Sequence, residues 1–154
     1  MNRQDTRNKY FFGLGTVGRD MVFATLSSYL IFFLSEIFNL SNLMLGIVGT
    51  LLLILRIFDA LNDPIMGVIV DNTNSRWGKY KPAMLIGGVV GAAFFVLIFA
   101  DLGFTDGLKD NQVSIAYLIL FTVFYLGWDI TYGLNDIGYW SMLPALSRDQ
   151  KERE

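Results

Sequence analysis

Residues 56–82 read RIFDALNDPIMGVIVDNTNSRWGKYKP, and they begin inside an apolar helix and end in a short basic turn. Arg56, Asp59 and Asp63 recur at i, i+3 and i+7, which puts them on one helix face with Asn62 beside the stripe. Everything else up to residue 70 is Ile, Phe, Leu, Met, Val, Ala or Gly, save Pro64. A charged stripe on an otherwise apolar helix points to a membrane span whose ionic side looks into protein or water. Pro64 lacks an amide donor, so it frees the carbonyl of Ala60 one turn earlier. After residue 70 the chain turns polar, as a loop between two spans should.

Outward from this stretch the same character continues. The chain has 154 residues, of which 53% are hydrophobic, 15% aromatic and 17% charged, the last well under the usual quarter. Four segments, 11–38, 43–70, 82–102 and 113–143, each supply the roughly 20 residues that cross an about 30 Å hydrocarbon core. The expected class is an all-α, multi-pass membrane protein of four transmembrane helices, with the first, second and fourth long enough to tilt or project. The sequence has no Cys and no His, which excludes disulfides, thiolate metal sites and histidine-ligated zinc. The polar start, MNRQDTRNKY, precedes an apolar stretch too long and too interrupted for a signal peptide, so the N-terminus is expected to stay in the mature protein.

The net charge of -2 hides a segregation. Arg3, Arg7 and Lys9 sit at the start, Arg76, Lys79 and Lys81 in the second loop, and Arg148, Lys151 and Arg153 at the end. That is three times three of the 12 basic residues. The third loop carries Asp101, Asp106 and Asp110 against Lys109 alone. The excess of Lys and Arg on one side predicts that both termini are cytoplasmic. Charge here speaks to topology, and nucleic acid is not an expected partner. Glycines at 87 and 91, with Ala92, give span three a small-residue face for close helix packing. Gly13, Gly15 and Gly18, and Gly46 with Gly49, read the same way, with helix bending as the alternative.

Away from the span ends, where Glu36 and Asp101 sit, seven charged residues lie within the spans: Arg19, Asp20, Arg56, Asp59, Asp63, Asp129 and Asp136. Each costs at least about 2.5–3.5 kcal/mol at the bilayer centre, so each should face a cavity or a partner. Tyr132, Asp136 and Trp140 repeat at i, i+4 and i+8 on span four. Counted at about 1.5 Å per residue, Asp20, Asp59, Asp63 and Asp136 fall roughly 10–17 Å deep, so three helices bring acids to one level. Two readings remain open. The acids pair with arginines and hold the bundle, Asp59 with Arg56 for example, or their surplus negative charge binds cations or protons. Asp59, Asn62, Asp63 and the freed Ala60 carbonyl are oxygen donors suited to a hard cation such as Na+. Pro64 can also serve packing alone. Trp140 offers a face on which a sugar ring can stack, as could Trp128 or Tyr139, although each is equally an ordinary core or interfacial aromatic. Asp129 has no assignable role.

Residues 56–82, together with GRDM at 18–21 and TYGLNDIGYWSMLPAL at 131–146, resemble the melibiose-permease-like glycoside, pentoside and hexuronide:cation symporters of the major facilitator superfamily. The likeness covers essentially the whole chain. It implies that these spans are the first third of a twelve-helix fold, part of its N-terminal six-helix half, with the remaining helices of the same permease as partners. It implies secondary active transport, a sugar or glycoside moved with Na+, Li+ or H+ by alternating access, and no enzyme activity or further cofactor. Carried over, the sugar site falls on Arg19, Asp20, Tyr132, Asp136 and Trp140, and the cation site on Asp59, Asn62, Asp63 and Asp136, with Na+ possible at Asp59 and Asp63. Gly67, Asp71, Arg76, Gly78, Lys79 and Lys81 match the superfamily's loop motif, a charge lock between conformations. Two positions depart from the pattern: Gly133 stands where the melibiose permeases place a sodium-holding threonine, which favours proton over sodium, and Gly138 where a proline is usual. The location implied is the cell membrane. The end in QKERE, inside a charged stretch, suggests a longer polypeptide.

Two rivals stand beside this. Asp59, Asp63, Gly67 and Asp71 superficially imitate the metal-binding acids of an intramembrane phospho-alcohol transferase, with the wrong spacing and an interposed proline. A noncatalytic four-helix membrane adaptor would need only the spans.

Overall fold

The computed structural model describes residues 3–106 and 112–143, with backbone alone for residues 3–6 and Lys9. It contains four helices and, among the described residues, no strand: α1 Arg3–Phe32, α2 Asn42–Asn72, α3 Lys81–Ile98 and α4 Ile115–Ser141. A single π turn, Phe33–Ile37, continues α1, with the Phe38 amide donating to the Phe33 carbonyl at 3.0 Å. All four are long and apolar enough to cross a membrane, the first taken over Tyr10–Ile37.

Local chemistry sets the ends. The Ser41 hydroxyl accepts from the Met44 amide at 3.3 Å and opens α2, and Ser114 does the same for Tyr117 at 3.2 Å at the start of α4; both satisfy donors that a helix start leaves free. Pro82 sits in the first turn of α3, where its missing amide costs nothing. α3 ends at Ile98, four residues before the expected 102. There Asp101 accepts from the Gly103 amide at 2.9 Å and Gly103 takes a positive φ of 71°, a turn that only the sequence Asp-Leu-Gly, not hydropathy, could announce. α2 runs through Pro64 as one α-helix.

α4 is the centre of the bundle, packed most extensively on α3 and then on α2. A ladder of rings runs along it: Tyr117, Phe121, Tyr125, Trp128 and Tyr132 follow one another with centroids 6.0, 5.9, 5.8 and 5.1 Å apart. Leu26, Leu30 and Leu34 from the first span and Met44, Val48 and Leu55 from α2 bury against this ladder. Leu53, Leu61 and Val89 are among many large apolar side chains on the outer faces, as lipid-facing helices require.

The small-residue face of α3 meets α4 directly. A Cβ added at Gly87 would lie 2.5 Å from the Thr131 carbonyl oxygen and 2.8 Å from the Asn135 amide nitrogen, so backbone approaches backbone there. Gly91 faces the Thr131 hydroxyl at 3.2 Å, and Gly138 on α4 faces Ala83 and Met84 at 3.2 and 3.3 Å. The Asn135 side-chain amide donates to the Met84 carbonyl at 2.8 Å. The packing expectation therefore fits α3 and fits Gly15, where an added Cβ would lie 3.1 Å from the Tyr139 hydroxyl, whereas Gly13, Gly18, Gly46 and Gly49 meet no other helix among the described residues.

Candidate functional site

Two helices bring charge to α4. From α1, the Arg19 guanidinium pairs with Asp136 through Nη1 and Oδ1 and with its own neighbour Asp20 at 3.0 Å. The same group lies 4.9 Å over the Tyr139 ring and 5.2 Å over the Trp140 ring, within the range of cation–π attraction. Arg19 is thus held on four sides, and its side chain is only 11% exposed, against 58% for Asp20 and 36% for Asp136. Tyr132 stacks between Phe23 at 5.4 Å and Trp128 at 5.1 Å, on the stripe it shares with Asp136 and Trp140. The five sugar-site candidates therefore gather at the α1/α4 seam, with Asp20 and Trp140 exposed on its open face.

The α1/α4 seam has a clasp that the sequence did not reveal. The Tyr139 hydroxyl bonds the Phe12 carbonyl and lies 2.8 Å from the Thr16 hydroxyl, and its ring stacks on Phe12 at 4.2 Å. The available signal was position: Tyr139 follows Asp136 by three residues, and Thr16 precedes Arg19 by three, so each shares a helix face with its partner.

α2 presents its acids to the same helix. Asp63 Oδ1 lies 3.6 Å from where a Cβ would stand on Gly133, so any side chain at that position would point at the carboxylate. One turn away, the carboxyls of Asp59 and Asp129 face each other within hydrogen-bonding reach. Asn62 is buried at 8% exposure. The expected pairing of Arg56 with Asp59 does not form: among the described residues no ion pair joins them, and Arg56 lies 5.8 Å over the Phe23 ring of α1. The flat guanidinium gains an aromatic face there at no cost in desolvating a carboxylate. No group of three or more acids converges as a multidentate metal site among the described residues.

At the α2–α3 turn, Lys79 reaches Asp71 at 3.1 Å. Its hydrogen bond to that carboxylate holds the lysine pKa above its ordinary value. Gly78 permits the turn with a φ of 103°, and Ser75 accepts from the Trp77 amide at 3.2 Å. Gly67 faces open space, and Arg76 and Lys81 form no ion pair among the described residues.

Four apolar helices, three of which carry ionic side chains into the bundle, define a polytopic membrane protein. The sequence matches the family model described as MFS/sugar transport protein over residues 11–154, and the chain belongs to that family. It is 39% identical over 145 residues to the lactose permease of Lactobacillus delbrueckii subsp. bulgaricus, covering 93% of this chain and 22% of that protein. It is 36% identical over 152 residues to the raffinose carrier protein of Pediococcus pentosaceus, covering 95% and 23%. The glucuronide carrier protein homolog of Escherichia coli (strain K12) is 32% identical over 154 residues, covering 99% and 32%. The chain spans between about a fifth and a third of the length of these relatives. It is a multi-pass cell membrane protein of a transporter family.

Proposed function

We propose that these helices form the front of a cation-coupled sugar symporter, in which α1 and α4 hold the sugar and α2 with α4 holds the coupling cation, Na+, Li+ or H+. The observation that carries this is the Arg19–Asp136 pair beside the Trp140 ring. It sets a carboxylate that accepts hydroxyl hydrogen bonds, a guanidinium that donates them and an aromatic plane side by side, which is what binding a sugar asks of a protein. Asp20 and Tyr132 extend the polar set. Relatives named for lactose, raffinose and glucuronide carriage support a sugar or glycoside as the substrate.

The cation lowers the cost of bringing acids together. Asp59 and Asp63 face α4 at Asp129 and Gly133, so a bound cation offsets like-charge repulsion at the α2/α4 seam. α4 then carries both ligands' contacts, and occupancy at one seam sets the helix for the other. Both termini and the 73–80 turn lie in the cytoplasm in this reading, where the Asp71–Lys79 pair is the local part of the loop lock. Rocking against the remaining helices of the permease exposes the seam to each side in turn.

The test is uptake by the full-length protein carrying these helices, reconstituted in vesicles with lactose, raffinose and a glucuronide under Na+, Li+ or pH gradients. Asp136→Asn should abolish sugar uptake, and Asp63→Asn should abolish its stimulation by the cation. Cation-stimulated uptake that survives Asp63→Asn sinks the coupling role.

A further inference from the structure

Asp129 stands outside every role assigned so far, and its surroundings are unusual for an acid. It is 8% exposed, and its Oδ2 is buried without a hydrogen-bond partner. Buried carboxylate oxygens left unpaired are rare and costly, and such a group calls for a ligand or a partner. The carboxyl is aimed across the α2/α4 seam at Asp59, with Arg56 and Asp63 of the same helix and Tyr125 of its own helix as the other polar groups in electrostatic reach. From α1 the Phe23 ring lies under Arg56 at 5.8 Å, and among the described residues Arg56 forms no ion pair with either acid.

Register strengthens the point. Asp59 opposes Asp129, and Asp63 opposes Gly133, a step of four residues on each helix, as two helices running in the same direction require. At the lower step α4 presents Gly133, which has no side-chain oxygen. At the upper step it offers a carboxylate whose second oxygen is free. Asp129 and Asp136 are also seven residues apart, two turns along one face and about 10 Å, so the free acid and the sugar-site acid are fixed to the same rigid helix.

We infer that Asp129 is a further α4 ligand of the coupling cation, placed across the seam from the Asp59 carboxyl of α2. The inference rests on the symporter reading and adds to it one residue that the site as drawn from Asp59, Asn62, Asp63 and Asp136 lacks. Bridging draws α2 and α4 together at the seam, and because α4 carries Asp136, the cation's grip is transmitted to the sugar site without a further intermediary.

The experiment uses the full-length protein in vesicles, with sugar uptake titrated by NaCl and by LiCl at fixed pH, and by pH at zero alkali ion. Asp129→Asn keeps the shape and removes the ligand. It should raise the half-saturating concentration of the stimulating cation by at least about 10–100-fold, the loss seen when a group that only supports an ion's ligands is removed, while the half-saturating sugar concentration at saturating cation moves far less. Asp129→Glu keeps a carboxylate one methylene further out and should retain stimulation with an altered Na+:Li+:H+ preference; it also serves if the asparagine variant does not fold. Unchanged cation affinity in Asp129→Asn, or unchanged affinity and preference in Asp129→Glu, overturns the assignment while Asp59→Asn still loses stimulation. If Asp59→Asn and Asp63→Asn both keep stimulation, the cation site itself is misplaced, and the inference falls with the symporter reading and not separately.

Discussion

Arg19 of α1 and Asp136 of α4 hold each other across the seam, and the same guanidinium lies 5.2 Å over the Trp140 ring. The carboxylate and the aromatic face proposed for the sugar are thus already engaged by one side chain of the protein. Removing Arg19 leaves Asp136 without its ion-pair partner in a membrane interior, where an uncompensated charge is costly, and removing Asp136 leaves Arg19 with Asp20 alone. Arg19→Gln and Asp136→Asn should each lower thermal stability in detergent, whereas the double variant should recover part of the loss, with a coupling energy of about 0.5–3 kcal/mol. Additive losses would mean that the pair carries no stability of its own. Sugar uptake should fail in all three.

The Tyr139 clasp predicts a smaller effect. Tyr139→Phe keeps the stack on Phe12 and removes the hydroxyl that bonds Thr16 and the Phe12 carbonyl. A cost of about 0.5–1.5 kcal/mol is expected, read as a lower melting temperature. Thr16→Val should cost less, because Tyr139 then retains the carbonyl.

Glycine substitutions should separate the two kinds of glycine. Gly87→Ala forces a Cβ to within 2.5 Å of the Thr131 carbonyl oxygen, so α3 and α4 must move apart, at a cost of about 1–3 kcal/mol. Gly46→Ala meets open space and should be neutral or slightly stabilising, since alanine restricts the helix less expensively than glycine. Equal melting temperatures for the two variants would contradict the close α3/α4 approach.

Lys79 has a raised pKa because Asp71 accepts its proton in a hydrogen bond. A lysine raised in the folded state contributes fully below its ordinary value of 10.5 and loses that contribution only as pH climbs through the higher folded value. Transport between about pH 6 and 9 should therefore show no step from this pair, and salt should weaken it because both groups face solvent. NMR titration of methyl-labelled lysines checks the assignment: Asp71→Asn should bring the Lys79 pKa down toward 10.5.

Much of the fold could be read from residues 56–82 and their neighbours, because a lipid-spanning helix announces itself by length and hydropathy alone. The end of α3 could not, since Phe99, Ala100 and Leu102 remain apolar while the Asp101–Gly103 turn bends the backbone. The stripes on α2 and α4 were legible because helix periodicity fixes which residues share a face. Which stripe meets which was not, because the register between two helices is a property of their packing. That is why Arg56 was expected on Asp59 and lies over Phe23, and why Asp129 found no partner until α2 was set against α4. Gly138 is explained the same way: its neighbours Ala83 and Met84 belong to another helix and leave no room for a ring.

Gly87 has one more effect. With main chain against main chain at Thr131 and Asn135, and Asn135 bonded to the Met84 carbonyl, α3 and α4 have no side-chain layer between them at that level that could slide or repack. They should move there as a single plank. Beyond the aliphatic core, α4 meets α1 and α2 at the level of the site through charges, hydroxyls and rings, contacts that a ligand can exchange for its own, so the ligand-bearing helix is bolted on one side and latched on the others.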